Sequence, residues 1–209
     1  MKVVVFGASG YTGANITAEL LARGIETLGV ARNITAVPAG AATAAGDVTD
    51  ADFVAAVTEG ADVIVSTLPT SAPSGVGVDS TIAVTRLVAV GARLGVVGGA
   101  GSLLVAEGGP ALVDTPGFPE EIKPIALEHS LTLDYLRTVD DVDWFYLSPA
   151  ASYGSFNPGT RRGEYRTSGD LLLSDANGNS DISGEDYALA FVDEIVNPVH
   201  HRERFSVAY

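Results

Sequence analysis

Val3-Val4-Val5-Phe6-Gly7-Ala8-Ser9-Gly10-Tyr11-Thr12-Gly13 decides how this chain is read. Its first four residues are apolar and mostly β-branched, and predict a buried strand over 3–6. Helical spacing follows at once: Ile16, Leu20 and Leu21 share one face of a helix expected over 12–23, and Gly24 stops it. Three glycines, Gly7, Gly10 and Gly13, stand at the junction. Glycine lets the backbone turn sharply and approach a diphosphate closely. Amides of the helix's first turn then face the anion, and the helix dipole adds attraction. The spacing is G-x-x-G-x-x-G rather than G-x-G-x-x-G, so the weight comes from the strand before it and the helix after it. Gly7, Ser9, Gly10, Tyr11, Thr12 and Gly13 are therefore candidate contacts to a dinucleotide. No Gly-Lys pair occurs anywhere, which rules out a P-loop.

Outward from this unit, the same alternation continues. Apolar runs predict strands over 25–30, 61–65, 94–97, 142–147 and 205–209. Helices are expected over 50–59, 79–93, 119–137 and 185–196, with Asp50 as an N-cap. Residues 33–46 read as a loop with a short strand near its end. A further strand fits 165–174, with a turn cluster over 174–178. Strands that are apolar throughout, separated by helices, are the sequence form of a parallel sheet covered on both faces. The expected fold class is α/β, a Rossmann-like doubly wound, mainly parallel sheet. We expect one domain over 1–209, in which residues from about 150 onward roof the pocket and supply the last strand.

Composition narrows the function. The 209 residues are 46% hydrophobic, enough for a sizeable core. Twelve basic residues stand against 26 acidic ones, a net charge of −14. That surface repels a phosphate backbone, so no nucleic-acid partner is expected. An anionic ligand must instead be held by a local device such as the glycine loop. There is no cysteine, hence no disulfide, thiolate metal site or cysteine nucleophile. Neither a secretory leader nor a membrane span is legible, and a cytoplasmic location is expected.

The second strand is followed by Arg32, where NAD-binding units carry an acidic residue for the ribose 2′-hydroxyl. A guanidinium can grip a 2′-phosphate and stack on adenine, which favours NADP(H) over NAD(H), although NAD(H) is still allowed; otherwise Arg32 is an exposed loop arginine. Gly46-Asp47-Val48 ends the third strand. Asp47 can accept from the adenine amino group while Val48 packs on the ring, or Asp47 can serve the turn.

These features together resemble the atypical short-chain dehydrogenase/reductases. The residues that carry the likeness are the glycine trio, Gly46-Asp47-Val48, the run from Val96 to Ser102, Leu147-Ser148-Pro149-Ala150, and Ile182 to Ala188. Within that group the chain is similar to the NAD(P)-binding, NmrA-like proteins, the small proteins called NADH-flavin reductases, and biliverdin-IXβ/flavin reductase. The resemblance implies strand order 3-2-1-4-5-6 with a late seventh strand, and a cofactor lying across the switch point between strands one and four. Ser66, Thr67, Leu68 and Pro69 would cover the adenosine and ribose side. Gly99 to Ser102 would sit near the nicotinamide, and Pro149 would flank it. Ser102 is the candidate polar group beside the transferred hydride, or else a turn serine. His129 is a second catalytic candidate, or else a packing residue.

Most short-chain dehydrogenases use Tyr-x-x-x-Lys as proton donor. The chain has two lysines, Lys2 and Lys123, and neither follows a tyrosine at that spacing. A carbonyl substrate would thus lack its acid. A flavin or quinone needs it less, because the charge left by hydride spreads over the ring and takes its proton from water. The expectation is an NADPH-dependent reductase acting on a planar acceptor, with flavin as substrate rather than as a tightly bound group. The alternative is a non-catalytic NADP(H) sensor of the NmrA type. A homodimer is compatible with either. No metal site is expected: His200-His201 lacks a ligand set and reads as solvated surface, and Asp140-Asp141-Asp143 reads as a solvated turn. Arg161, Arg162 and Arg166 either meet an anionic substrate tail or relieve the acidic surface.

Overall fold

The computed structural model describes residues 1–68 and 80–209. One sheet in the order β3-β2-β1-β4-β5-β6-β8-β7 runs through it. The strands are β1 (Lys2–Phe6), β2 (Glu26–Ala31), β3 (Ala42–Ala45), β4 (Val63–Ser66), β5 (Arg93–Val97), β6 (Trp144–Ser148), β7 (Arg166–Ser168) and β8 (Glu203–Ala208). All pairings are parallel except β7 with β8. The α/β, doubly wound, Rossmann-like class is as expected. The added feature is β7, a three-residue strand beyond the late strand β8. The stretch expected as a strand over 165–174 is mostly loop, because Gly169 and Asp170 turn it toward an isolated bridge between Leu104 and Leu171.

Side-chain alternation divides the core. Val3, Val5, Phe145 and Leu147 face one way and pack with Ile16 and Leu20 of α1 (Tyr11–Ala22) and Tyr187 and Phe191 of α5 (Gly184–Val196). Val4, Phe6, Trp144 and Tyr146 face the other way. They meet α2 (Ala51–Thr58), α3 (Ser80–Val88) and α4 (Lys123–Leu136) through Val54, Leu87 and Leu133. Neighbouring residues of one strand thus serve opposite layers, as the period of two requires.

Helix ends follow local chemistry. Asp50 caps α2, accepting from the amides of Asp52 and Phe53 at 3.1 Å each. α1 stops ahead of Gly24, whose φ is +69°. α4 begins later than expected, since residues 120–122 form turns and Pro124 sits in the helix's first turn. α3 ends at Val88, short of the expected 93, where Gly91 at φ +81° breaks it. Its expected start at Asp79, and Pro69 of the loop after β4, lie outside the described residues. Among the described residues no helix is long and apolar enough to cross a membrane.

At the opposite end of the sheet from the glycine loop, His200 is not a solvated residue. Its Nδ1 lies 2.7 Å from Glu194, its ring stacks on Phe205, and Arg93 joins the cluster by donating to Glu194 and Asp143. Asp143 also meets His201 at 3.1 Å, so the acidic turn is tied into the fold.

Candidate functional site

The glycine loop is built from the end of β1 upward. Gly7 has φ +87°, a conformation that L side chains rarely adopt. A Cβ there would also lie 2.5 Å from Thr67 Oγ1. A Cβ on Gly13 would lie 2.2 Å from the Gly7 carbonyl oxygen, so α1 can approach the loop only through a glycine. Thr67 sits beneath both. Its amide and hydroxyl each donate to the Phe6 carbonyl at 2.9 Å, which closes the seam between β1 and β4. Gly10 differs: it is exposed, and its Cβ would meet only the Gly7 oxygen, at 3.3 Å. Nothing in the fold demands a glycine there. Its bareness keeps open the mouth of the loop, where a diphosphate would approach.

The amides divide in the same way. Gly7 and Ala8 donate to the Val30 carbonyl, and Gly10 donates to Gly7. These three hold the loop's shape. The first bond into the helix runs from Ala14 to Gly10 at 2.8 Å, which leaves the amides of Tyr11, Thr12 and Gly13 ahead of it with no intrahelical acceptor. They are the donors suited to an anion.

Gly7, Ser9, Gly10, Arg32, Asp47, Val48, Thr67 and Leu68 line a single cleft at the carboxyl ends of β1, β2, β3 and β4. The β1/β4 boundary, where strand order reverses, lies under it. Ser66 is buried at the end of β4, next to the cleft residue Thr67. Arg32 is exposed on the cleft rim. The Thr49 amide and hydroxyl donate to Asp47 Oδ1 at 2.9 and 2.8 Å and hold its carboxyl below the usual range, helped by the Arg32 charge. Asp47 therefore serves its turn while lining the cleft. Phe53 fills the space over Gly46, where a Cβ would be 2.3 Å from the ring.

Tyr11 and Thr12 turn toward the roof instead. The Tyr11 hydroxyl donates to the Pro158 carbonyl at 3.3 Å, and Thr12 Oγ1 lies 2.8 Å from the Tyr153 hydroxyl. Burial raises the Tyr153 phenol, so it stays protonated. The three arginines nearby have protein partners. Arg161 pairs with Glu19 at 3.0 Å, Arg162 lies over the Tyr209 ring, and Arg166 donates to the carbonyls of Ser174 and Tyr209. Beneath them, buried Asp186 accepts from the amides of Arg162 (2.6 Å) and Gly163 (2.9 Å) and from the hydroxyls of Ser183 (3.0 Å) and Tyr209 (2.5 Å). Burial opposes its charge, but these donors prevail and hold the carboxyl below its ordinary value.

Gly99, Ser102, His129 and Pro149 belong to the other half of the sheet edge, beyond β4. Gly98 and Gly99 lie flat on Tyr146 and His129: a Cβ would be 2.0 Å from the Tyr146 ring at the first and 3.0 Å from the imidazole at the second. Tyr146 receives the Gly99 amide at 3.1 Å and donates to the His129 carbonyl at 3.1 Å; burial pushes its phenol up to about 12. Burial pushes the His129 imidazole down to about 4, against a small opposing pull from Glu128, so the ring is neutral at neutral pH. Pro149 is buried behind β6. Ser102 is part-exposed, and its hydroxyl accepts from Arg204 at 2.9 Å. Sequence reading passed over Arg204 because it put the last strand at 205–209, one residue past the arginine, and no local signal points to a partner 102 positions away. Among the described residues, no group of three or more acidic or histidine side chains is placed to hold a metal ion.

Residues 7–198 match the family model described as NAD(P)H-binding. Among solved structures, a Burkholderia pseudomallei protein provisionally named as exported is 40% identical, with a TM-score of 0.86 and 100% of each chain covered. A Streptococcus pneumoniae protein provisionally named an NADH-flavin reductase is 30% identical, with a TM-score of 0.87 over 100% of this chain and 99% of that one. A Bacteroides thetaiotaomicron protein provisionally named an epimerase is 35% identical, with a TM-score of 0.86 over 100% and 96%.

Proposed function

The chain belongs to the NAD(P)H-binding family, and on that premise we propose that it is an NADPH-dependent oxidoreductase that reduces a flavin or a similar planar acceptor. The observation that carries this reading is the single cleft that gathers the glycine loop, Arg32, Asp47-Val48 and Thr67-Leu68 over the β1/β4 boundary. Bound there, the cofactor supplies hydride from its nicotinamide ring. The first-turn amides of Tyr11, Thr12 and Gly13 hold the diphosphate, and exposed Gly10 lets it come close. Arg32 takes the 2′-phosphate, and Val48 packs on the adenine. Gly99, Ser102 and Pro149 would meet the cofactor's nicotinamide end. His129, neutral at working pH, serves as the wall behind Gly99. With no Tyr-x-x-x-Lys pair in the sequence, the work left to the protein is to stack two flat rings at reacting distance and to exclude water. The likeness to the streptococcal protein named an NADH-flavin reductase supports a reductase, and the missing pair argues against the epimerase chemistry that the name of the third structure suggests. The missing pair also supports a second reading, an NADP(H) sensor without turnover.

Oxidation of NADPH, followed by loss of its absorbance with FMN, FAD, riboflavin and simple quinones, separates the two. Turnover that is lost in Gly10→Trp supports the reductase. Calorimetric binding of NADPH with no oxidation by any acceptor supports the sensor. Arg32→Ala should weaken NADPH about tenfold or more while leaving NADH nearly unchanged, consistent with about 1.5–3 kcal/mol for a hydrogen bond to a charged group. Equal loss for both would remove the phosphate role.

A further inference from the structure

Beyond the cofactor cleft, we propose that Arg204 is a positioning residue that fixes Ser102 as the hydrogen-bond donor to the acceptor. This rests on the reductase reading above. Arg204 stands on β8, and its side chain is 4% exposed. Its Nη1 donates to Ser102 Oγ at 2.9 Å and its Nη2 to the Ser102 carbonyl at 3.4 Å. Nε donates to Asp170 at 2.7 Å, and Nη2 closes the ion pair with the same carboxylate. A guanidinium has donors only. Ser102 Oγ is therefore compelled to accept from it, and the serine's own proton must point elsewhere. Among the described residues no other group bonds that oxygen. A cation donating into an oxygen also strengthens that oxygen's O–H as a donor.

The serine is held as firmly as its hydroxyl. Leu103 donates to Ala100, Val113 to Gly101, Leu112 to Leu103, and Leu104 to the Asp170 carbonyl, at 2.8–3.0 Å. Asp170 thus clasps the loop with its backbone and neutralises Arg204 with its side chain. Arg137 shares that carboxylate at 3.6 Å. Part-exposed Ser102 is the polar end of this chain, on the half of the sheet edge to which the nicotinamide extends. On reduction, hydride carries two electrons from nicotinamide C4 to the acceptor. The nicotinamide is oxidised, and negative charge appears on an acceptor oxygen or nitrogen. The Ser102 O–H donates to that atom and keeps its proton; water supplies the proton that completes the reduced acceptor. A fixed donor aimed at developing charge is effective because it need not reorganise.

The test uses Ser102→Ala, Arg204→Met and the double variant of the full chain. Ser102→Ala should lower kcat about a hundredfold, in line with the loss of one such donor, with the KM for NADPH unchanged. Arg204→Met should do the same. The double variant should be no slower than Ser102→Ala alone, because the arginine acts through the serine. A second readout needs no turnover: oxidised riboflavin binding without coenzyme, read by quenching of flavin fluorescence, should weaken equally in both single variants. A double variant much slower than either single one, or riboflavin affinity altered by Arg204→Met but not by Ser102→Ala, would mean that Arg204 only braces the fold and would overturn the proposal. If Arg204→Met does not fold, Ser102→Ala still decides, since Asp170 keeps Arg204 anchored there: wild-type kcat and riboflavin affinity overturn it. Wild-type protein that binds NADPH yet reduces no acceptor removes the reductase reading instead, and riboflavin binding still tests the serine.

Discussion

Replacing His129 by leucine should make the protein less sensitive to acid, and the size of the effect follows from the site. The ring lies against Gly99 under the turn that follows β5, and burial lowers its pKa from 6.5 to about 4. In the unfolded chain the imidazole binds a proton near pH 6.5; in the folded one it resists until about pH 4. The folded form is thus favoured in full above pH 6.5, and that contribution is lost as pH falls through 4. At about 1.4 kcal/mol per pH unit, the whole effect is about 3 kcal/mol. About 2.5 kcal/mol of it develops between pH 7 and pH 4.5. Urea unfolding of wild type and His129→Leu at those two pH values measures this directly, provided that the slopes with urea agree. The stability difference between the two proteins should move by about that amount in favour of the variant at pH 4.5. Parallel losses would show that the imidazole is solvated or already charged at pH 7, and the neutral wall behind Gly99 would go with it. A break near pH 6.5 in the reductase pH–rate profile, absent in the variant, would refute it equally.

Gly13→Ala and Gly10→Ala should part company. The first puts a methyl group on the Gly7 carbonyl and should cost roughly 1–3 kcal/mol of folding stability. The second meets only the Gly7 oxygen, at 3.3 Å, a tight contact that a shift of a few tenths of an ångström relieves; it should change stability by less than about 1 kcal/mol, while NADPH affinity in calorimetry falls. Asp186→Asn takes the charge from four donors and should cost about 2–3 kcal/mol. Because that carboxyl is held below its usual pKa, the cost should shrink as pH falls through the lowered value. Amide exchange at Arg162 and Gly163 should quicken in the same variant.

The first half of the molecule was legible because each signal there is local. An apolar run, a glycine trio and a helical stripe lie within 24 residues, and Asp50 caps its own helix. Arg32, Asp47 and Thr67 could be placed on one cleft because parallel strands bring their carboxyl ends to one edge. The role of Thr67 beneath two glycines was not legible, since it depends on the β1–β4 register. The second half depends on contacts distant in sequence. Arg204 reaches Ser102 across 102 positions, and Tyr153 reaches Thr12 across 141. His200, read as a surface residue, is drawn inward by Glu194 and by stacking on Phe205. The expected strand over 165–174 shrank to three residues because Leu171 pairs with Leu104 instead. No periodicity reports such partners.

Among the described residues, those that line the glycine-loop cleft come from the stretch between Phe6 and Leu68, whereas the arginine that grips Ser102 sits on β8. During synthesis the residues of that cleft therefore emerge early, and the grip on Ser102 comes only with the closing strand. On the proposed reading, a nascent chain stalled before β8 would already carry the glycine-loop cleft but would lack the arginine that holds Ser102.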